Sequence, residues 1–285
     1  MSKHDGDNSH RATSGGYLTD ASYLDDHYQA AQPEYETMLR MVGLRAGWRV
    51  LDVGCGGGSY LPLLTELVGP TGHIAAVDIE PDNVQRVADR IQRGEFACAV
   101  EVHEGGAGQL PFPDDSFDAL WCANVTQYFD ALAFQVALAE FIRVVKPGGL
   151  VALKEWDLTA WHFGPFPVEA ILRVKVAASK ALEGLLRPVE FAASFRQMGM
   201  TTIGSHTVLS EWRSPLPPAA TRYFRSIFPF WRDLTASLTL PPGDRAAWEA
   251  LYDVESPSHI LHSPDFWLRE SHIVTFGRVP DTRPE

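Results

Sequence analysis

The sequence is poor in basic residues and in long apolar runs. Its 285 residues contain 24 Lys and Arg against 36 Asp and Glu, for a formal net charge of −12, and the basic residues form no dense cluster. A protein that binds nucleic acid normally presents a basic surface to the phosphates, so this composition disfavours a nucleic-acid partner. No stretch approaches the roughly 20 apolar residues that a membrane span requires.

Cysteine is also scarce, and the N-terminal residues carry no secretory signal. The three cysteines, Cys55, Cys98 and Cys122, have no metal-ligand spacing. They are typical of reduced thiols in an intracellular protein, so we expect a cytoplasmic protein and predict no metal site. Residues 1–16 are rich in Ser, Gly, His and Asp and have no apolar run, which indicates disorder.

The most informative segment is VLDVGCGGG, residues 50–58, in which an apolar strand runs into an acid and a glycine-rich turn. Glycines at this place let the backbone approach a ligand where a Cβ would collide. A dinucleotide site would need a third glycine three residues after Gly56, and Ser59 stands there. Asp52 suits the cationic amino acid part of S-adenosylmethionine (SAM) better than a pyrophosphate. The sequence therefore favours a SAM site.

Further motifs follow in order along the chain. The segment HIAAVD, residues 73–78, reads as a second strand that ends in an acid, and LPFPDDSFD, residues 110–118, leads into a fourth strand. The segment VVKPGG, residues 144–149, closes a helix and leads into a fifth strand. With the glycine-rich turn, this ordered set resembles the class I SAM-dependent methyltransferases. Within them it resembles the group that includes the ubiquinone and menaquinone biosynthesis enzymes, over roughly residues 17–149.

The resemblance implies which residues bind SAM. Asp52 and the glycine-rich turn would hold the methionine part, and Asp78 would hold the ribose, whose two hydroxyls one charged acceptor can bind. N-terminal helices close over the cofactor in similar enzymes, and here Tyr17, Tyr23 and Tyr28 either do so or only pack a helix face. The full predicted set is Tyr28, Asp52, Gly54, Cys55, Gly56, Gly58, Asp78, Ile79, Gly106, Ala107, Asn124, Val125 and Gln127.

One position departs from the family. Many relatives carry an Asp near residues 104–107, where its carboxylate accepts a hydrogen bond from the adenine amino group, and this chain has Gly106 there. Three interpretations stay open. The backbone of Gly106 and Ala107 binds the adenine, or SAM binds more weakly, or Gly106 only serves a turn.

The alternation of strand and helix patterns predicts an α/β fold with a doubly wound, mostly parallel sheet. The resemblance completes the sheet to seven strands, with an antiparallel edge formed by the last two, near residues 202–212 and 273–277. The expected organisation is a disordered N-terminus (1–16), a Rossmann-like SAM-binding core with N-terminal lid helices (17–155), a first insertion (156–187), a core helix and strand (188–212), a second insertion (213–269), and a last strand with a tail (270–285).

The two insertions are rich in aromatic residues. Six of the eight tryptophans lie within residues 156–267. Both insertions leave the carboxyl end of the sheet, where ligands bind in such folds, so we interpret them as a helical lid over an apolar acceptor. The alternative is a satellite core, in which the aromatic side chains only pack against one another.

Methyl transfer from SAM requires few catalytic groups from the protein. The protein can supply most of the rate acceleration by aligning SAM with the acceptor and by excluding water. A base is needed only if the acceptor loses a proton. Imidazole suits that role near neutral pH. The candidates are His162, His259 and His262 in the insertions and Glu155 at the end of the fifth strand. For each histidine, a packed or solvent-facing role is the alternative.

We therefore expect a SAM-dependent methyltransferase of secondary metabolism that acts on an apolar small molecule, an isoprenoid, polyketide or aromatic compound. Oxygen is the first expectation for the accepting atom, carbon the second and nitrogen the third. Two alternatives stay open: an enzyme of the same fold with another reaction, such as a cyclisation, and a non-catalytic SAM-binding partner. The sequence also leaves a homo-oligomer open.

Overall fold

The computed structural model describes residues 21–181, 183–236 and 238–281. The predicted disordered segment 1–16 and Tyr17 lie outside the described residues, as does the side chain of Tyr23. In the described part, a seven-stranded sheet carries helices on both faces, which confirms the predicted fold class. The strand order is β3-β2-β1-β4-β5-β7-β6.

The sheet is parallel except for one strand. The strands are β1 Arg49–Val53, β2 His73–Asp78, β3 Ala99–Glu104, β4 Phe117–Ala123, β5 Val145–Gly164, β6 Thr201–Arg213 and β7 Trp267–Arg278. Strand β7 is antiparallel to both of its neighbours, β5 and β6, as the family pattern predicts. The strand order reverses between β1 and β4, so a crevice opens at the carboxyl ends of these strands, where open α/β sheets bind ligands.

Nine helices cover the sheet in the described part of the chain. They are α1 Ala21–Ala30, α2 Gln32–Val42, α3 Leu61–Val68, α4 Pro81–Gln92, α5 Ala131–Val144, α6 Val168–Ala181, α7 Phe191–Gln197, α8 Pro218–Ala236 and α9 Pro242–Glu249. Helices α2, α3, α4 and α9 each have a proline in the first turn, where its missing N–H and fixed φ are tolerated. Asp130 caps α5, since its side chain accepts from the backbone N–H of Ala133 at 2.7 Å.

The two strands beside the predicted insertions are longer than the sequence predicted. Strand β5 continues to Gly164, and β7 begins at Trp267, so both insertions begin or end inside the sheet. The two strands pair over this extension, with Phe163 opposite Leu268, after a break in register that follows Asp157. The extension depends on pairing between distant segments, which satisfies the backbone groups of both. Local patterns do not reveal such pairing.

Buried aromatic residues of the insertions pack beside one face of the sheet. The rings of Trp161 and Trp231 stack with centroids 4.4 Å apart. Phe228 and Trp248 pack around Phe163 at 5.9 and 6.0 Å. These side chains are almost fully buried. They belong to the same apolar cluster as Val50 and Ile74 of the sheet, so the insertion aromatics are continuous with the main core.

Candidate functional site

A cavity of about 1170 Å³, counting the space at its open mouth, lies at the carboxyl ends of β1, β2 and β4. It contains most of the predicted SAM-binding residues. Those that line it are Tyr28, Gly54, Cys55, Gly56, Asp78, Ile79, Gly106, Ala107, Asn124 and Val125. Within the described part of the chain, no residue of the segments 156–187 and 213–269 lines it. The geometry therefore does not show these segments as a lid that lines the acceptor pocket.

The glycine-rich turn has a conformation that needs glycine. Gly54 and Gly56 have φ of +69° and +53°, in the left-handed region. A Cβ on Gly54 would lie 2.2 Å from Cγ2 of Val125, so the loops after β1 and β4 meet at this point. The N–H groups of Gly54 and Cys55 both donate to the carbonyl of Val77, at 2.7 and 3.0 Å. The turn is thereby fixed against β2 and forms the floor of the cavity.

Asp52 lies behind this floor and does not line the cavity. Its side chain is 2 % exposed, and its Oδ2 accepts no hydrogen bond within the described residues. Burial, together with the nearby Asp78, raises the pKa of Asp52 to about 8. A buried carboxylate oxygen without a hydrogen bond is costly. A cationic amino acid group nearby would offset this cost, but Asp52 does not line the cavity, and its predicted contact with SAM stays a prediction.

Asp78 ends β2 at the cavity and organises the loops around it. Its Oδ2 accepts from the N–H of Gly56 at 2.7 Å. Its Oδ1 accepts from the N–H of Glu80 at 2.9 Å and from Nδ2 of Asn83 at 3.1 Å. The carboxylate thus connects the glycine-rich turn to the start of α4. Its predicted contact with the ribose stays a prediction.

The loops after β3 and β4 form the adenine end expected from the sequence. Gly106 faces open space, since a Cβ there would meet only Cδ1 of Ile79, at 3.9 Å. Asn124 has a φ of 60°, and its Oδ1 accepts from Nζ of Lys154 at 2.7 Å.

Besides Asp52, two residues of the predicted set lie outside the lining. Gln127 donates through Nε2 to the carbonyl of Asn124, at 3.2 Å, and so supports the loop after β4. A Cβ on Gly58 would lie 2.8 Å from Cδ1 of Leu61. Gly58 therefore allows the turn to approach α3 closely, and it does not line the cavity.

An aromatic wall borders the cavity beside the glycine-rich turn. We use this name for Tyr28, Tyr35, Tyr60 and His27, all of which line the cavity. The ring of Tyr60 lies 5.0 Å from that of Tyr28 and 6.1 Å from that of Tyr35. Only Tyr28 of this wall was predicted as a site residue. Sequence analysis did not select Tyr35 or Tyr60, although Tyr60 follows the glycine-rich turn directly.

Behind the aromatic wall lies a buried acid–imidazole cluster, formed by His27, Tyr35, Glu270 and His272. The hydroxyl of Tyr35 lies 2.6 Å from Nε2 of His27 and 3.4 Å from Nε2 of His272. Oε1 of Glu270 lies 3.8 Å from Nε2 of His27 and 3.3 Å from Nε2 of His272. Sequence analysis did not select Glu270 or His272, because nothing local relates the last strand to the first helices.

The four predicted catalytic residues lie elsewhere. Glu155 is buried, and its Oε1 accepts from the N–H and the Oγ1 of Thr126, at 2.6 and 3.0 Å, so it supports the loop after β4. Both ring nitrogens of His259 contact backbone groups, the carbonyl of Leu251 and the N–H of Leu261, each at 3.2 Å.

The other two histidines are also distant from the cavity lining. The ring of His162 stacks on Trp267, with centroids 5.4 Å apart, on the extension of β5. His262 is exposed and lines a separate groove near Pro215. None of the four predicted residues lines the cavity, so the geometry does not place them where a substrate would react.

No helix in the described ranges is long and apolar enough to cross a membrane. His27, Glu270 and His272 bring three potential ligand atoms within 4.8 Å of one another. The absence of a metal site thus stays a prediction, now with a specific place at which to test it.

Comparisons with known proteins agree with this site. Residues 51–153 match the family model described as "Methyltransferase domain". The chain is 29% identical over 238 residues to the 24-methylenesterol C-methyltransferase 2 of Oryza sativa subsp. japonica, covering 80% of this chain and 62% of that protein. It is 36% identical over 123 residues to the ubiquinone/menaquinone biosynthesis C-methyltransferase of Pseudomonas fluorescens (strain Pf0-1), covering 42% and 46%.

A solved structure shows the same fold. The geranyl diphosphate C-methyltransferase of Streptomyces coelicolor A3(2), determined in complex with Mg²⁺, geranyl diphosphate and S-adenosyl-L-homocysteine, superposes with a TM-score of 0.50 at 16% identity. That match covers 87% of this chain and 77% of that one.

The fold is that of the class I methyltransferases, and residues 51–153 match the methyltransferase domain, so this segment carries a SAM-dependent methyltransferase domain. The resemblance found in the sequence, to the group that includes the ubiquinone and menaquinone enzymes, is confirmed. The chain spans about half to three-fifths of the length of the two curated relatives named here, 46% and 62%.

Proposed function

We propose that the protein transfers the methyl group of SAM to a carbon atom of an apolar acceptor of sterol, quinone or isoprenoid type. One observation carries the proposal: most of the predicted SAM-binding residues and the aromatic wall line the same cavity. The methyl donor and an apolar acceptor would therefore share one cavity, in which they can be aligned and water displaced.

The residues of this chain would contribute mainly by positioning SAM against the acceptor. When bound, SAM supplies an electrophilic methyl group on a cationic sulfur. The glycine-rich turn and Asp52 would hold its amino acid end, and Asp78 would hold the ribose. The loops after β3 and β4 would surround the adenine, so that the methyl group points toward the aromatic wall.

The aromatic wall favours carbon as the accepting atom. Methyl transfer to a carbon–carbon double bond leaves positive charge on the acceptor, and the faces of aromatic rings attract cations. The Tyr35 ring lies 3.7 Å from Nζ of Lys154, a buried amine whose pKa burial lowers to about 7. The sequence alone ranked oxygen first. The relatives named above are C-methyltransferases by their names, and together with the wall this moves carbon ahead.

The proposal is tested with SAM labelled in the methyl group and three probes: a 24-methylenesterol, a demethylmenaquinone and geranyl diphosphate. We expect label in an organic product from at least one probe, with one S-adenosylhomocysteine formed per methyl transferred. Tyr60→Leu should lower the rate, while the exposed His206→Gln should not. Product without consumption of SAM would favour a reaction such as cyclisation. Tight SAM binding with no product from any apolar probe would contradict the proposal.

A further inference from the structure

We infer that His27, supported by Glu270, is the base that removes a proton from the acceptor when its carbon atom is methylated. The inference rests on the proposed function, because only methyl transfer with loss of a proton needs a base. It assigns a catalytic role to a histidine that sequence analysis did not select.

The first step is position. His27 and Tyr35 both line the cavity, on the consecutive helices α1 and α2. The hydroxyl of Tyr35 is held 2.6 Å from Nε2 of His27. None of His162, His259 and His262 lines the cavity. Within the cavity lining, His27 is thus the imidazole placed to meet an acceptor.

The second step is orientation. Glu270 is fully buried, and its Oε1 lies 3.8 Å from Nε2 of His27. Its Oε2 accepts from the hydroxyl of Tyr223 at 3.1 Å. The ring of Tyr223 also stacks on the ring of His27, with centroids 4.7 Å apart. One side chain of α8 therefore fixes both the carboxylate and the imidazole, as a base and its orienting acid require.

The third step is charge. The groups that face His27 are Glu270 and His272 from β7, Lys154 from β5, Tyr35 from α2 and Tyr223 from α8. Burial lowers the pKa of His27, and Glu270 partly offsets this, so the imidazole is neutral and able to accept a proton. Burial by itself would raise the pKa of Glu270, but the two imidazoles beside it bring that pKa well below its usual range. The carboxylate is therefore charged and stabilises the imidazolium.

The reaction would proceed by methyl transfer followed by loss of a proton. The π electrons of the acceptor form the new carbon–carbon bond to the methyl group, and the carbon–sulfur bond breaks with its electron pair going to sulfur. The cationic acceptor then loses a proton from a neighbouring carbon to the imidazole of His27. The electron pair of that carbon–hydrogen bond restores a double bond. Solvent takes the proton from the imidazolium after product release.

A metal ion is the other use of this cluster, since His27, Glu270 and His272 offer three ligand atoms within 4.8 Å. The base assignment is favoured because Nε2 of His27 is already hydrogen-bonded to the hydroxyl of Tyr35, which a metal ion at that nitrogen would have to displace.

The kinetic test compares wild type with His27→Ala, His27→Gln and Glu270→Gln, using whichever of the three probes the wild type methylates. We expect kcat of His27→Ala to fall by about 10²–10⁴-fold while the Kd for SAM stays within about threefold. Added imidazole should restore part of that rate. In Glu270→Gln the acid limb of the pH profile should move to lower pH, because the carboxylate no longer stabilises the imidazolium. The matched control is His206→Gln, an exposed histidine on β6.

Three results would overturn the assignment: a folded His27→Ala or His27→Gln with kcat within about twofold of wild type, a pH profile unmoved in Glu270→Gln, or stoichiometric bound metal whose removal abolishes activity. Nitrogen-detected NMR of the histidine rings gives a readout that needs no acceptor. His27 should be neutral at around pH 8, and Glu270→Gln should shift its protonation to lower pH. If no probe is methylated, the proposed function fails and the base assignment fails with it. If wild type methylates a probe and His27→Ala does so at the same rate, the base assignment alone is overturned.

Discussion

Gly106→Asp should make the protein bind SAM more tightly, which is an uncommon outcome for a substitution in a binding site. The family usually carries an acid at this position to accept from the adenine amino group. The backbone at Gly106 is compatible with a side chain, since its φ is not in the left-handed region. A Cβ would meet only Cδ1 of Ile79, at 3.9 Å. The substitution therefore adds a carboxylate to the cavity without displacing a neighbour.

The size of the gain follows from the surroundings of Gly106. A hydrogen bond to a charged group contributes about 1.5–3 kcal/mol. Holding the new side chain in one rotamer costs about 0.5–1.5 kcal/mol. Ile79 beside it is 56% exposed, so solvent competes and the lower half of the first range applies. The net gain should be about 1 kcal/mol, or about fivefold in Kd.

Calorimetry with S-adenosylhomocysteine measures this gain. The matched control is Gly108→Asp, which adds the same charge two residues further on, at a position that does not line the cavity. A second control is S-inosylhomocysteine, in which a carbonyl replaces the adenine amino group. That ligand should bind Gly106→Asp more weakly than wild type, because two acceptors then face each other. Equal affinity of Gly106→Asp and wild type for S-adenosylhomocysteine, or an equal gain in Gly108→Asp, would refute the reasoning.

Three further predictions concern other parts of the molecule. Asp78→Ala should cost about 2–4 kcal/mol of SAM binding by calorimetry, and unchanged affinity in a folded variant would mean that the ribose is held elsewhere. Phe228→Ala should cost about 3–5 kcal/mol of unfolding free energy in urea while SAM affinity stays within about threefold; the reverse pattern would contradict a packing role for the insertion aromatics. Asp52 has a folded pKa of about 8, raised by burial and Asp78, above an unfolded value of about 3.9. The free energy of unfolding therefore falls as pH rises from about 4 to 8, because the folded protein resists ionisation of this carboxyl. Asp52→Asn removes the ionisable group and should stabilise the SAM-free protein by about 2–5 kcal/mol at pH 8. A stability difference that does not change with pH would rule this out.

Sequence reasoning succeeded where the chemistry is local. Gly54 and Gly56 were selected from spacing alone, and both have a positive φ. A Cβ on Gly54 would collide with Val125 in the loop after β4. Asp78 was placed at the end of a strand and lies there. It failed where the partners are distant. Tyr35 and His272 are 237 positions apart and lie 3.4 Å from each other.

The amino-acid sequence by itself determined the strand, the glycine-rich turn and the helix of the predicted SAM site, because these are specified by the conformational preferences of adjacent residues. It did not determine which of ten histidines reaches the cavity. The antiparallel pairing of β5 with β7 and the packing of α8 on α1 determined that. These contacts bring Glu270 and Tyr223 to His27. The aromatic side chains of the insertions are buried in the same apolar cluster as one face of the sheet. Long-range pairing and burial determine these neighbours, and no local pattern encodes them.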